Sequence, residues 1–170
     1  HLFVLADGPD LLEYPVAAGS ISDPGASPNS MAVGAVFYPS NVNELFSSQG
    51  PTSTGLRKPD ISGPDGTSSF TYPEFFGTSA ATPHAAGASA LIWSQNLTRN
   101  AATVRSLLET SASDLGIPGP DNVFGAGMVT LPSVRPVITG INPSTGNSGT
   151  VVNATISGTN LSGATAVFFS

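Results

Sequence analysis

Ser79 is the residue best placed to do chemistry. It stands where a loop, Pro73-Glu74-Phe75-Phe76-Gly77, runs into a long stretch of small and apolar residues. A serine at a helix start lies among backbone N–H groups without intrahelical acceptors, in the positive end of the helix dipole. Such donors stabilise the oxyanion formed when a hydroxyl attacks a carbonyl. The competing reading is that Ser79 or Thr78 simply caps the helix, as serine and threonine do at many helix starts. The other reactive groups are few. His1 and His84 are the two histidines, and there is no cysteine. Thiolate catalysis, disulfides and zinc–thiolate sites are thereby excluded. Lys58 is the sole lysine and precedes Pro59, so no Gly-rich phosphate loop ending in Gly-Lys-Ser/Thr exists. The segment Gly77-Thr78-Ser79-Ala80-Ala81 has Ala where a Gly-x-Ser-x-Gly elbow needs its last Gly.

The elements that must position Ser79 are readable from periodicity. Residues 31–37 (MAVGAVF) form a near-continuous apolar run, the pattern of a buried strand in a parallel sheet. Pro59-Asp60-Ile61 is a second extended candidate. Residues 79–95 predict a helix that is small or apolar on every side, and so buried on every side. Pro83 is tolerable because it lies near the first turn. A second helix is expected over 101–112, with Val104, Leu107, Leu108 and Ser111 on one face and Asn100 as N-cap. Arg105 and Glu109 make an i, i+4 pair expected to point outward, and Gly116 and Pro118 end the segment. Strands alternating with helices predict an α/β layered domain.

Composition narrows the function classes. Lys plus Arg number 5 and Asp plus Glu 11, so 9% of the 170 residues are charged and the net charge is -6. Five basic residues argue against a nucleic-acid partner, whose phosphates need Lys and Arg. No apolar run approaches the roughly 18 residues of a membrane span. The hydrophobic share of 39% with little charge excludes a disordered tail. Low charge without cysteine is compatible with export.

The string around Ser79 goes further. Gly77-Thr78-Ser79-Ala80-Ala81-Thr82-Pro83-His84-Ala85-Ala86-Gly87 closely resembles the nucleophile motif of the subtilisin-like serine proteases, G-T-S-[MA]-A-x-P-H-[VA]-A-G. Phe46-Ser47-Ser48-Gln49-Gly50-Pro51 and Lys58-Pro59-Asp60-Ile61 resemble two further segments of that family, in the right order. Ser27-Pro28 with Ala32-Val33-Gly34-Ala35-Val36, and Asn122-Val123-Phe124-Gly125-Ala126-Gly127, resemble two more. The resemblance runs from about residue 15 to 132. It implies a partial subtilisin-like three-layer fold with a parallel sheet, and a polypeptide substrate. It implies that Ser79 is the acylating nucleophile, with Gly77 and Thr78 beside it against substrate, and that His84 is structural. Ala17, Ala18 and Gly19 are expected to line one wall of the specificity pocket. Ser20 stands where the family has an Asn whose side chain donates to the oxyanion.

The general base and its carboxylate are not recognisable. His1 lacks the family's H-G-T-x-V-A-G context, and no D-[ST]-G segment precedes Ser79. The expectation is that both lie upstream of residue 1, that this chain is a piece of a longer one, and that alone it is inactive. The family often binds Ca²⁺, so calcium in the parent is an expectation of the resemblance, but no cofactor or metal site is readable. Lys58 and Asp60 read as a loop ion pair, and Asp23, Asp65 and Asp121 as turn residues. After about residues 133–136 the composition shifts to short β-branched runs separated by turn residues. This tail, 133–170, resembles the start of an IPT/TIG immunoglobulin-like domain, truncated with too few strands to close a sandwich. The favoured reading of residues 1–132 is the C-terminal part of a secreted or cell-surface serine endopeptidase. The alternative is a degenerate protease fold serving as an adhesion or carbohydrate-binding scaffold.

Overall fold

The structure is a computed structural model that describes residues 16–131, 137–159 and 161. His1, residues 132–136 and the apolar run 166–169 lie outside the described residues. The chain divides into two compact units, His1–Pro132 and Ser133–Ser170.

In the first unit, β1 (Val33–Phe37) pairs antiparallel with β2 (Val42–Asn43) and parallel with β3 (Ile61–Asp65), giving the order β2-β1-β3. The parallel register sets Val33 opposite Ile61, Ala35 opposite Gly63 and Phe37 opposite Asp65. Met128 extends the sheet beyond β3 through a parallel bridge to Ser62. The second strand starts later than the sequence suggests. Residues 61–65 read ISGPD, a poor strand by propensity because Gly, Pro and Asp are all depleted in sheets. Its parallel partner and the helix above it impose the extended form. Asp65 is therefore no turn residue: it ends β3 and is fully buried.

Helix α1 (Thr78–Ser94) lies against β1 and β3. Gly63 is the reason it can sit so close, since a Cβ there would meet the Ala81 carbonyl oxygen at 2.3 Å. The expectation that this helix is buried on every side is not met. Ala80, Ala81, Ala85, Ala88 and Ile92 face the sheet and are buried. The other side is open among the described residues: a Cβ on Gly87 would touch nothing, and Leu91 and Trp93 are about half exposed. Small residues are required only where strand backbone approaches, and alanine on the far side carries no signal of burial.

Helix α2 (Ala101–Ser111) is capped by Asn100, whose side chain accepts from the Thr103 N–H at 2.9 Å. Leu108 is buried, and Val104 and Leu107 pack on the core formed with Ile61, Ala85, Ala88 and Ile92. Arg105 bonds Glu109 at 2.8 Å but does not simply point outward. Its guanidinium also reaches Asp60, which in turn binds the Lys58 ammonium at 2.7 Å. Lys58 is 2% exposed, so the expected loop ion pair is a buried one. Burial alone pulls the Arg105 guanidinium below its ordinary value. The hydrogen bonds and charges of Glu109 and Asp60 outweigh this and hold it above.

The second unit shows two described strands, β4 (Val137–Asn142) and β5 (Thr155–Thr159), paired antiparallel with a register shift between Ile138 and Gly140. Nearly every residue of both is exposed.

Candidate active site

The approach to α1 is built by the loop after β3. Thr67 and Phe75 form an antiparallel bridge, and Ser69 accepts and returns hydrogen bonds with Tyr72 across the turn. Phe76 stacks on Phe37 at 6.2 Å between ring centroids, tying the end of this loop to β1. Gly77 is the N-cap of α1, with φ 114° and ψ 158°. An L side chain rarely adopts that backbone, so the abrupt turn from loop to helix needs glycine.

The helix therefore starts without a side-chain cap. The carbonyl of Gly77 accepts from the N–H groups of Ala80 (2.8 Å) and Ala81 (3.3 Å). Ser79 lies in the first turn, exposed, and its hydroxyl makes no hydrogen bond among the described residues. The capping explanation for Ser79 thus finds no support in the local geometry. No acidic side chain occupies the first turn of α1, so the helix dipole is left uncompensated there. The result is a free hydroxyl at the positive end of a helix, beside the Thr78 and Ser79 amides. That arrangement suits attack on a carbonyl, given a base.

His84 does not supply that base in this arrangement. Its Nδ1 lies 2.8 Å from the Ala80 carbonyl oxygen, one turn back along α1, while Ser79 is on another face. The segment Ala17–Ser20 is held by a different partner. Ala18 forms a parallel bridge with Gln49, and the N–H groups of Gly19 and Ser20 donate to Gly50 and Gln49. The Ser20 hydroxyl donates to the Ala17 carbonyl at 2.6 Å and accepts from the Gln49 N–H at 3.0 Å. These bonds tie residues 17–20 to the Gln49-Gly50 segment, and those of residues 77–79 stay within α1. Near the other motif, Asp121 Oδ1 accepts from the Val123 and Phe124 N–H groups, the turn expected of it.

The comparisons with known proteins fit this geometry. Residues 1–127 match the model of the subtilase family, Peptidase_S8. The chain belongs to the subtilase family. It is 37% identical over 112 residues to Subtilisin Savinase of Lederbergia lenta, an alignment covering 66% of this chain and 40% of that protein. Among solved structures it is similar to a lanthipeptide protease, with a TM-score of 0.51 and 25% identity. That match covers 63% of this chain and 40% of the other. It shares the fold of the Clostridium perfringens CspB protease, with a TM-score of 0.60 and 22% identity over 70% of this chain and 29% of that one. This subtilase chain thus spans about 40% or less of the length of the curated relatives it matches.

The sequence missed one pair of groups. Asp65 carries a buried carboxylate whose two oxygens find no donor among the described residues, and desolvation and the Asp65 charge raise the Glu44 carboxyl above its ordinary value. Neither residue belongs to a readable motif. Nor do the carboxylates fit a calcium site of the kind the family implies. No group of three or more His, Cys, Asp or Glu converges among the described residues, and Asp60 and Asp121 are already engaged.

Proposed function

We propose that this chain is the C-terminal, nucleophile-bearing part of the catalytic domain of a secreted or cell-surface serine endopeptidase. The observation that carries the reading is Ser79: an exposed hydroxyl without a hydrogen bond among the described residues, in the first turn of α1 at an uncapped helix N-terminus, in a subtilase chain. Its oxygen attacks the carbonyl carbon of a polypeptide substrate, and the tetrahedral oxyanion is held by amides at the helix start. The amine fragment leaves, an ester on Ser79 remains, and water then releases the acid.

The histidine that takes the Ser79 proton, and the aspartate that orients it, belong to a segment upstream of residue 1. Gly77 and Thr78 lie against the substrate, and Ala17, Ala18 and Gly19 line its specificity pocket. Residues 133–170 are the beginning of an IPT/TIG immunoglobulin-like domain, a reading supported by the antiparallel pair β4-β5. No helix among the described residues is long and apolar enough to cross a membrane.

One observation favours a second reading. Ser20 replaces the family's oxyanion-binding Asn, and its hydroxyl proton is directed at Ala17. A protease fold that has lost this donor would be slow, or a scaffold. The deciding experiment uses the full-length protein and a fluorogenic peptide. Hydrolysis that falls by about 10⁴ or more in Ser79→Ala supports the enzyme. Equal, background rates in both forms, with no labelling of Ser79 by a serine-directed phosphonate, support the scaffold. The 170-residue chain alone should show no Ser79-dependent turnover.

A further inference from the structure

The loop that leads into α1 is a short hairpin with aromatic side chains along it. The Gly66 N–H donates to the Phe75 carbonyl at 3.2 Å, the Phe75 N–H to the Thr67 carbonyl at 2.9 Å, and the Ser69 N–H to the Tyr72 carbonyl at 2.7 Å. The Ser69 hydroxyl accepts from the Tyr72 N–H at 3.0 Å and closes the end, which leaves Phe70 and Thr71 as the turn. The base is fixed on β1. A Cβ on Gly66 would meet the Phe37 ring at 2.7 Å, and Phe37 stacks on Phe76. Farther out, Tyr72 lies on Phe75 with ring centroids 5.6 Å apart.

The turn itself does not call for these side chains. Hairpin turns select Gly, Asn and Asp, whose backbones suit the turn. Phe70 nevertheless sits at the tip, fully exposed. Tyr72 is 55% exposed and Phe75 37%, so their stack presents an open aromatic face. Isolated exposed apolar side chains are ordinary, but here four aromatics fall within residues 70–76. Glu74 is the one charged residue between Gly66 and Gly77, so the hairpin offers no cation to an acidic ligand or a phosphate. It suits neutral, apolar groups. Its place in the chain says which. The second arm runs from Tyr72 through Gly77 directly into Ser79. Seven residues span at most about 25 Å, so Tyr72 lies within the length of about seven extended residues from the nucleophile. A polypeptide extended across Ser79 covers that distance.

We propose that this hairpin is a substrate exosite: Phe70, and Tyr72 stacked on Phe75, bind large apolar side chains of an extended polypeptide, up to about seven residues from the bond that Ser79 attacks. The inference rests on the peptidase reading and adds a substrate class to it, polypeptides with apolar or aromatic segments near the cleaved bond. Aromatic side chains suit the task, because each covers a large apolar area with few torsions to fix. The hairpin bonds hold the tip in place beforehand, which reduces the ordering cost of binding. Rings stacking on apolar groups impose no strict register, so the preference is for apolar character and not for one residue type. The exosite touches no reacting atom. Its contribution is to binding, and it acts through KM.

The test uses the full-length protein and two fluorogenic peptides that share the two residues on either side of the cleaved bond. In one, the positions beyond these, out to about seven residues, carry Phe and Leu; in the other they carry Ser. Wild type should favour the apolar peptide in kcat/KM, mainly through KM. Phe70→Ser and Tyr72→Ser should each reduce that preference by about tenfold, the loss expected when one partly covered aromatic contact is removed. Phe70→Leu should retain it to within about threefold. The ratio between the peptides is the readout, because a merely structural change lowers both alike. An unchanged ratio in both serine variants, with Ser79-dependent turnover present, overturns the exosite and leaves the peptidase standing. If that unchanged ratio comes with a lowered melting temperature, Phe70 is covered by the rest of the protein; if it comes with the loss of a dimer, by a second copy. Absence of Ser79-dependent turnover of either peptide removes the peptidase reading and the exosite with it.

Discussion

The hydroxyl of Ser20 donates to the carbonyl of Ala17 at 2.6 Å, three residues back along the same chain. A serine has one hydroxyl proton, and here it is committed. Its lone pairs take the Gln49 N–H instead. Ser20 is thus a brace between two backbone segments and has no proton to offer an oxyanion. In the full-length enzyme, Ser20→Asn should raise kcat by about 10²-fold or more, since one oxyanion donor is worth about 10²–10³. Ser20→Ala should leave kcat within about twofold and reduce stability by about 1 kcal/mol. Steady-state kinetics with denaturant melts on the same variants check both. A large fall in kcat for Ser20→Ala at unchanged substrate affinity would return Ser20 to the oxyanion site.

His84 lies five positions after Ser79, and its Nδ1 is 2.8 Å from the Ala80 carbonyl. An imidazole held on its own helix in this way is structural. His84→Gln should keep kcat within a few-fold while lowering stability by about 0.5–1.5 kcal/mol. The pH–rate profile should be unmoved. A loss of the alkaline or acid limb in this variant would mean that His84 titrates in catalysis.

The separation between β3 and α1 depends on Gly63. Its missing Cβ is matched to the Ala81 carbonyl, which would lie 2.3 Å away, inside any tolerable contact. Because backbone and not a flexible side chain is the obstacle, α1 must shift as a body. Gly63→Ala should therefore cost about 1–3 kcal/mol. It should also displace Ser79, only two residues before Ala81, and so reduce kcat more than the stability loss explains. Residual activity measured well below the melting temperature separates the two effects.

How much of this was written in the residues depends on what each position has to satisfy. The Gly77-Thr78-Ser79 start of α1, the Asn100 cap and the apolar face of α2 are local, and local spacing displays them. The strand at 61–65 is not, because its Gly, Pro and Asp are tolerated only by the partner strand and helix that enclose it. The same holds for the open side of α1, since alanine and glycine look alike whether covered or bare. The burial of Asp65 was invisible because it ends a strand whose register no sequence pattern announces.

Asp60 is the hub of the buried ion network and the clearest stability determinant outside the site. Its Oδ2 accepts from Lys58 Nζ at 2.7 Å and from the Ala32 N–H at 2.6 Å, and its Oδ1 pairs with Arg105. Lys58, 2% exposed, has the Ser30 carbonyl as its other partner. Removing the carboxylate strands a buried ammonium, which typically costs about 3–5 kcal/mol. Asp60→Ala should therefore be far more damaging than Arg105→Ala, whose side chain is 34% exposed and whose loss should cost about 1 kcal/mol or less. Lys58→Met in the Asp60→Ala background removes the stranded charge. It should recover part of the loss, whereas a simple sum of two packing defects would deepen it. Urea melts of wild type, Asp60→Ala, Lys58→Met and the double variant, read as a double-mutant cycle, distinguish these outcomes.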